Sequence, residues 1–330
     1  MSSLKKNDLI FVAGHSGMVG SAITRLLKKH SYSNLLLPSR KELDLLNNKE
    51  VENWLFKFRP KVVILAAAKV GGIEANQKYP ADFLLENIKI QTNIIENSWR
   101  IGVKKFLFIG SSCIYPKFAP QPLKEEYLLT GPLEPTNEPY AVAKIAGIKL
   151  CSALKKQYGF NAISLMPTNL YGPGDNYNLK NSHVMPALIK KFYDAKINNK
   201  SEVFCWGTGD PKREFLYVDD LAEACIFIIE NIPFRSKKED DDNLNLVELI
   251  NIGTGKDISI KNLAKMIAEE LNYKGKIIWQ TSKPNGTPRK LLDVTKINKL
   301  GWEAKIKLDK GIKLAIKNYG KELESKSIRI

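Results

Sequence analysis

The sequence predicts an α/β fold, a doubly wound parallel sheet with a second, smaller α/β lobe, on three observations. Short apolar runs of strand length alternate with longer amphipathic stretches through the first half of the chain. Three glycines at three-residue spacing stand between the first run and the first amphipathic stretch. The run FLFI at 106–109 leads straight into the small polar segment GSSC. That is the carboxyl end of a buried strand, where open parallel sheets bind their ligands.

Taken in order, LIFVA at 9–13 is the first strand by length and β-branched content. GHSGMVGSAITRLLKK follows, with Gly14, Gly17 and Gly20 opening an amphipathic helix. Glycines there permit a tight turn, close approach of a pyrophosphate and tight packing of helix on strand, and the helix N-terminus offers amide donors to phosphate. NLLLP at 34–38 is the second strand, and Arg40 stands twenty residues past Gly20. An acidic residue near that point holds the ribose hydroxyls of NAD, whereas a cation accommodates the extra phosphate of NADP, so Arg40 points to NADP. Asp44 is left for the adenine end. After a helix near 48–58 comes the strand VVILAAA at 62–68, whose small residues suit a cofactor lying flat across the sheet edge.

A long helix over 82–101 precedes the FLFI strand, and another carries YAVAK, residues 140–144. A tyrosine and a lysine four apart on a helix point the same way. The ammonium of Lys144 can then lower the phenol pKa of Tyr140 and let it hand a proton to a developing alkoxide. NAISLM at 161–166 continues the sheet, and PTNLYGPGDNY at 167–177 reads as a proline- and glycine-rich loop too polar for the core. Beyond it come a short helix carrying His183, a strand, a turn and a helix capped near Asp219, the exposed charged run 235–243, and a buried strand in VELINIGTG. A helix at 260–271, a strand at 276–280, the loop TSKPNGTPRK and closing helices complete the smaller lobe. The division expected is 1–175 for the cofactor, with the chain near 215–255 returning to it, and 176–330 for the substrate.

Composition narrows the function classes. The chain of 330 residues is 44% hydrophobic and 26% charged, as ordinary globular proteins are. No apolar run is long enough to span a membrane, and the start passes from a short polar lead into a strand without a signal-peptide pattern, which together predict a cytoplasmic protein. The net charge of +16 comes mostly from lysines spread along helices, with only eight arginines. That is a solvated surface that attracts small anions, not a nucleic-acid site. Cys113, Cys151, Cys205 and Cys225 have no metal-ligand or disulfide spacing. Three lie in apolar stretches and read as core; Cys113, two residues from Ser111, is a candidate base if nearby cations lower its thiol pKa.

The segments GHSGMVGSAI, AAAKVGGI, GSSCIYPK, EPTNEPYAVAKIAGIKL, MPTNLYGP, NSHVMPAL and GTPRKLLDV, in this order and spacing, resemble the extended short-chain dehydrogenase/reductase family over nearly the whole chain. The resemblance implies a Rossmann domain binding NADP(H) and a bifunctional enzyme. That enzyme epimerises carbons 3 and 5 of GDP-4-keto-6-deoxy-D-mannose, then reduces its carbon-4 ketone. Ser111, Tyr140 and Lys144 would be the reductase triad, and Cys113 and His183 the epimerisation pair. Gly14, His15, Ser16, Gly17, Met18, Val19, Gly20, Arg40, Asp44, Leu45, Ala67, Ile109, Gly110, Ser111, Ser112, Tyr140, Lys144, Pro167, Thr168, Asn169, Leu170 and His183 would hold the cofactor. Lys191, Trp206, Arg213, Asn285 and Lys290 would face the GDP-sugar.

Two departures from the family pattern stand out: Ser16 where some relatives carry a basic residue, and Lys191 where an arginine can occur. The alternative is another nucleotide-sugar 4-epimerase or reductase of the same family, against which Arg40 and the Cys113/His183 pair speak. The resemblance also implies a homodimer joined through the helices at 82–101 and 138–158. Ile90, Ile94, Ile95, Ile145, Ile148 and Leu150 offer apolar positions for that four-helix contact.

Overall fold

Ile10, Phe11, Val12 and Ala13 are sealed from solvent and form β1 (Ile10–Ala13). In the computed structural model, which describes residues 4–232, 248–283 and 285–329, this strand lies inside a six-stranded sheet. The expected loop at 235–243 lies outside the described residues. After β1 come α1 (Met18–Lys29), β2 (Leu35–Leu36), α2 (Asn48–Phe58), β3 (Val62–Leu65), α3 (Ile73–Lys78), α4 (Pro80–Arg100), β4 (Lys105–Ile109), α5 (Glu138–Tyr158) and β5 (Ala162–Pro167). Helix ends follow the chemistry: Asn47 accepts from the amides of Lys49 and Glu50 at the start of α2, and Gly159, with φ +71°, closes α5.

A short β6 (Asn169–Tyr171), α6 (Val184–Ile197), β7 (Glu202–Trp206), β8 (Lys212–Tyr217) and α7 (Val218–Asn231) lead to β9 (Leu249–Ile252), the last strand of the large sheet. β10 (Asp257–Ser259), α8 (Ile260–Glu270), β11 (Lys276–Gln280), β12 (Arg289–Lys290), α9 (Thr295–Lys299) and α10 (Leu308–Glu324) follow. The large sheet runs β2-β1-β3-β4-β5-β9, every pair parallel. The chain leaves β1 toward β2 and then crosses to β3 on the other side. The switch point between β1 and β3 is where such a sheet opens a crevice.

The strand residues alternate between two cores. Ile10, Val12, Ile64, Leu107, Leu165 and Ile250 pack under α1 and α7, and Phe11, Val63, Phe106, Phe108 and Met166 pack under α4 and α5. Each such side chain contributes about 1.5–3 kcal/mol by leaving water. A Cβ on Gly147 would lie 2.7 Å from the Phe108 ring and 2.9 Å from Gln91, so α5 sits close against α4 and β4 only because this position is glycine. A third core, built on Tyr171, Phe192, Phe215, Leu263, Ile267 and Tyr319, fills the smaller lobe. There β8 pairs with β10, β12 and β6, and β7 pairs with β11.

Four expectations are corrected. The stretch 167–177 is not all polar loop: it contains β6 hydrogen-bonded to β8, and Tyr171 and Tyr177 are buried, the latter donating its amide to Arg329 O at 2.8 Å. The strands at 34–38 and 62–68 shrink to Leu35–Leu36 and Val62–Leu65. α7 begins at Val218, with Asp219 in its first turn, where it pairs with Arg25 at 2.6 Å. The apolar positions ascribed to a subunit contact are largely used inside the protomer: Ile94, Ile95, Ile145 and Ile148 are buried core, with Ile90 and Leu150 packed against it. α4 is flanked by α2 as well as α5 and the sheet, so apolar residues on several of its faces find partners at home.

Candidate active site

At the switch point Gly14 closes β1 in the left-handed region, φ +86°, and a Cβ there would lie 2.6 Å from the amide nitrogen of Ala67. A Cβ on Gly20 would strike the Gly14 carbonyl and lie 2.7 Å from the His15 Cα. These two glycines are required by the chain's own packing. Gly17 is not: a Cβ there would meet only the Gly14 carbonyl oxygen, at 3.5 Å, an ordinary contact. Gly17 is also the N-cap of α1, and no side chain caps that helix. A bare helix N-terminus beside an open glycine fits a pyrophosphate that must touch backbone. His15, Ser16, Met18 and Val19 complete this turn, and Arg40 is exposed in the turn after β2. Asp44 is engaged locally, accepting the Leu46 amide at 3.1 Å, and the Leu45 carbonyl accepts from Asn93.

Two strands along the sheet from the glycine turn, past the end of β4, the sequence-predicted catalytic residues of 111–144 meet. Ser111 caps the 3-10 turn Ser112–Ile114 and accepts the Cys113 amide at 3.4 Å. It also stands within hydrogen-bonding reach of the Tyr140 hydroxyl. Lys144 donates to the Ile109 carbonyl at 2.8 Å and lies 5.9 Å from the Tyr140 ring centre. Next to Ile109, Gly110 lies against the Met166 thioether, where no Cβ would fit.

The electrostatics differ from the expectation. Burial raises the Tyr140 phenol, with the Cys113 thiol adding to it and only Ser111 opposing, so the phenol is a protonated donor and not one lowered by Lys144. Burial pulls Lys144 down to about 8. Burial likewise holds the Cys113 thiol above its ordinary value, while Lys290, Ser111 and Lys144 pull it the other way without prevailing. The sequence shows which charges are near but not how little water reaches the thiol.

A second wall faces this group. His183 is the N-cap of α6 but makes no capping bond with its ring. Solvent reaches it, yet protein crowds it closely enough that burial, then the charge of Lys290, pulls its basicity down. Asn181 accepts the Gly72 amide at 2.9 Å, which ties the loop after β3 to the start of this helix. Lys290 lines one small cavity with Cys113, Lys117, Glu134, Asn137 and Thr287. In the register of β12 on β8 it stands opposite Arg213.

Lys191 donates to the Phe204 carbonyl at 2.9 Å and stands 5.8 Å from the ring centre of the exposed Trp206. Asn285 accepts the Thr208 amide at 2.9 Å. Lys191, Trp206 and Asn285 thus share one rim, that of β7 and the 281–290 segment.

Sequence reasoning missed two carboxylates. Glu214 is fully buried and accepts the amides of Thr254, Gly255 and Leu292, while its own carbonyl accepts from Thr168 and Asn169. It therefore joins the segment Pro167–Leu170 to the chain just past Lys290. Glu134 pairs with Lys117 at 3.0 Å and accepts from Thr287 at 3.4 Å. Burial pushes its carboxyl up, but Lys117 and the Thr136 amide more than offset this and hold it below the usual range. Its only sequence signal is its place as the first residue of the EPTNEPY match.

With this geometry in view, the profile of the NAD dependent epimerase/dehydratase family matches residues 10–245. The chain is 53% identical to GDP-L-fucose synthase 1 of Arabidopsis thaliana, over 93% of this chain and 91% of that one. It is 51% identical to GDP-L-fucose synthase of Escherichia coli K12, over 92% and 94%. Its fold matches the crystal structure of a GDP-L-fucose synthetase from Naegleria fowleri bound to NADP with a TM-score of 0.86, at 27% identity and covering 100% of this chain and 98% of that one. The chain belongs to the NAD dependent epimerase/dehydratase family.

Proposed function

We propose that this chain is a GDP-L-fucose synthase, converting GDP-4-keto-6-deoxy-D-mannose to GDP-L-fucose by epimerisation at carbons 3 and 5 and reduction at carbon 4. The observation that carries the reading is the meeting of Ser111, Cys113 and Tyr140 beside the carboxyl end of β4, with Lys144 below and Lys290 and His183 across from them. A carbon-4 ketone acidifies the C–H bonds on both neighbouring carbons. Hydroxyl donors from Ser111 and Tyr140 stabilise the oxyanion left when either proton is removed, so one site serves both epimerisations. Inversion needs a base and an acid on opposite faces of the ring, and Cys113 and His183 supply them.

The residues present fit NADPH: the open Gly17 turn would take the pyrophosphate and Arg40 the extra phosphate, while the small Ala67 and the 167–170 segment would leave room for the rest of the cofactor at the sheet edge. Bound NADPH supplies the hydride for the carbon-4 reduction. Tyr140 donates the proton to the resulting oxygen, and Lys144 holds the ribose. Lys191, Trp206, Arg213 and Asn285 bind the GDP portion. The split of the chain follows the same division of labour, 1–175 for the cofactor with a return over 215–255, and 176–330 for the sugar nucleotide.

A homodimer through α4 and α5 is part of this reading. Its support is the exposed Leu85 and Val142 on those two helices. A cytoplasmic location fits a chain in which no helix of the described residues is long and apolar enough to cross a membrane.

The test is absorbance at 340 nm with purified protein, NADPH and the keto-sugar, followed by separation of the product. Stoichiometric NADPH loss yielding GDP-L-fucose is the expected outcome. NADPH loss yielding an unepimerised sugar leaves a carbon-4 reductase, and no loss with NAD retained on the protein indicates a 4-epimerase. A second prediction concerns the cofactor. Arg40→Ser is expected to raise the KM for NADPH about tenfold to a hundredfold, the worth of one charged hydrogen bond, with NADH turnover unchanged. Equal changes for the two cofactors would place Arg40 outside the site.

A further inference from the structure

We propose that Lys290 acts through Cys113: its ammonium is the charge that lets the thiol give up its proton, so Lys290 is a positioning residue of the epimerisation and not only a contact for the nucleotide sugar. The proposal rests on the reading of Cys113 as the base.

The chain delivers Lys290 to Cys113 by fixing the backbone around it. Leu123, which continues the Cys113 loop, donates its amide to the Leu291 carbonyl at 2.7 Å, and Asp293 donates back to the Leu123 carbonyl at 2.8 Å. The Leu291 amide goes to the Gln121 side chain and the Leu292 amide to Glu214, both at 2.9 Å. On the other side, the register with β8 fixes Lys290 opposite Arg213. So held, Lys290 lines the same cavity as Cys113.

The other charged groups around the thiol are already engaged. Lys144 is turned to the Ile109 carbonyl and pulls on the thiol less than Lys290 does. Lys117 is held by Glu134, the one carboxylate in the cavity lining among the described residues. Arg213 donates to the carbonyl of Lys212 at 2.8 Å. Ser111 and Tyr140 are neutral hydroxyls, and His183 faces the same ammonium, which disfavours its cationic form. No hydrogen bond or ion pair engages the Lys290 ammonium among the described residues. A thiolate in a cleft needs such a counter-charge. In the step itself the proton leaves Sγ for cleft water and no electrons move. Burial, with Arg213 beside it, lowers the basicity of Lys290, and the Cys113 thiolate and Glu134 are the groups that favour its charged form.

The test is the pH profile of iodoacetamide alkylation at Cys113, read by peptide mass spectrometry in wild type, Lys290→Met and Lys290→Arg. In Lys290→Met the midpoint is expected to rise by about one unit or more. Alkylation below it then slows about tenfold. Lys290→Arg, which keeps the charge, is expected to stay near wild type. Cys151, Cys205 and Cys225 are buried in the core, so their continued protection in the same digest shows that each variant is folded. An unchanged midpoint in folded Lys290→Met overturns the proposal, as does a rise of equal size in Lys290→Arg. Neither result depends on turnover, so a wild type that consumed no NADPH would sink the proposed function without touching this measurement.

Discussion

Tyr140→Phe is expected to lower NADPH-dependent reduction by about 10²- to 10⁴-fold, the usual worth of a placed general acid. The change removes one hydroxyl and keeps the ring, whose edge-on contact with Phe83 at 6.4 Å survives. Lys144 stays where it is, because its partner is the Ile109 carbonyl and not the phenol. The loss should therefore fall on kcat, with NADPH binding retained. Ser111 still offers a donor to the oxyanion, so solvent deuterium should continue to enter the sugar at a reduced rate while the ketone persists. Unchanged NADPH turnover in this variant would remove Tyr140 from the reaction.

The same residues show what a sequence can and cannot carry. The glycine turn was legible because its reasons are local. Gly14 and Gly20 are constrained by atoms within a few positions or by the next strand, and the spacing alone marks them. The buried parallel strands were legible because both faces are covered, leaving continuous apolar runs. β6 and β12 were not. They are three and two residues long, too short for any periodicity to show, and each takes its hydrogen bonds from β8.

Glu214 is harder still. In KREFLY it looks like one more charged residue on a strand, and its partners at Thr254 and Leu292 lie 40 and 78 positions away. Burying a carboxylate is costly unless every lone pair is answered. Here burial raises its pKa while three backbone amides and Thr168 pull the other way, so the residue acts as a fixed joint between the two lobes of the site. Nothing in a single sequence counts those amides. The same limit explains the expectation about Cys113 and Tyr140. Neighbouring lysines are visible from spacing and family resemblance, whereas the exclusion of water that outweighs them is a property of the assembled cleft.

Cys113→Ser separates the two halves of the reaction from the other side. The hydroxyl is close in size to the thiol and can take over its contact with Ser111, and the bond from the Cys113 backbone amide to Ser111 is kept, so the loop has no reason to move. What is lost is acidity. A serine hydroxyl beside Lys290 does not ionise near neutral pH, whereas the thiol, although burial holds it above its ordinary value, is by far the more acidic of the two groups and has two ammonium groups drawing it down. Epimerisation is expected to fall by about 10²- to 10⁴-fold, seen as lost deuterium uptake at carbons 3 and 5 in heavy water. Reduction of the unepimerised ketone then becomes visible, because Ser111, Tyr140 and Lys144 are untouched. Normal deuterium uptake at both carbons would move the base elsewhere, with His183 the next candidate. Uptake lost at one carbon only would assign Cys113 to that face of the ring and leave the other inversion to a different base.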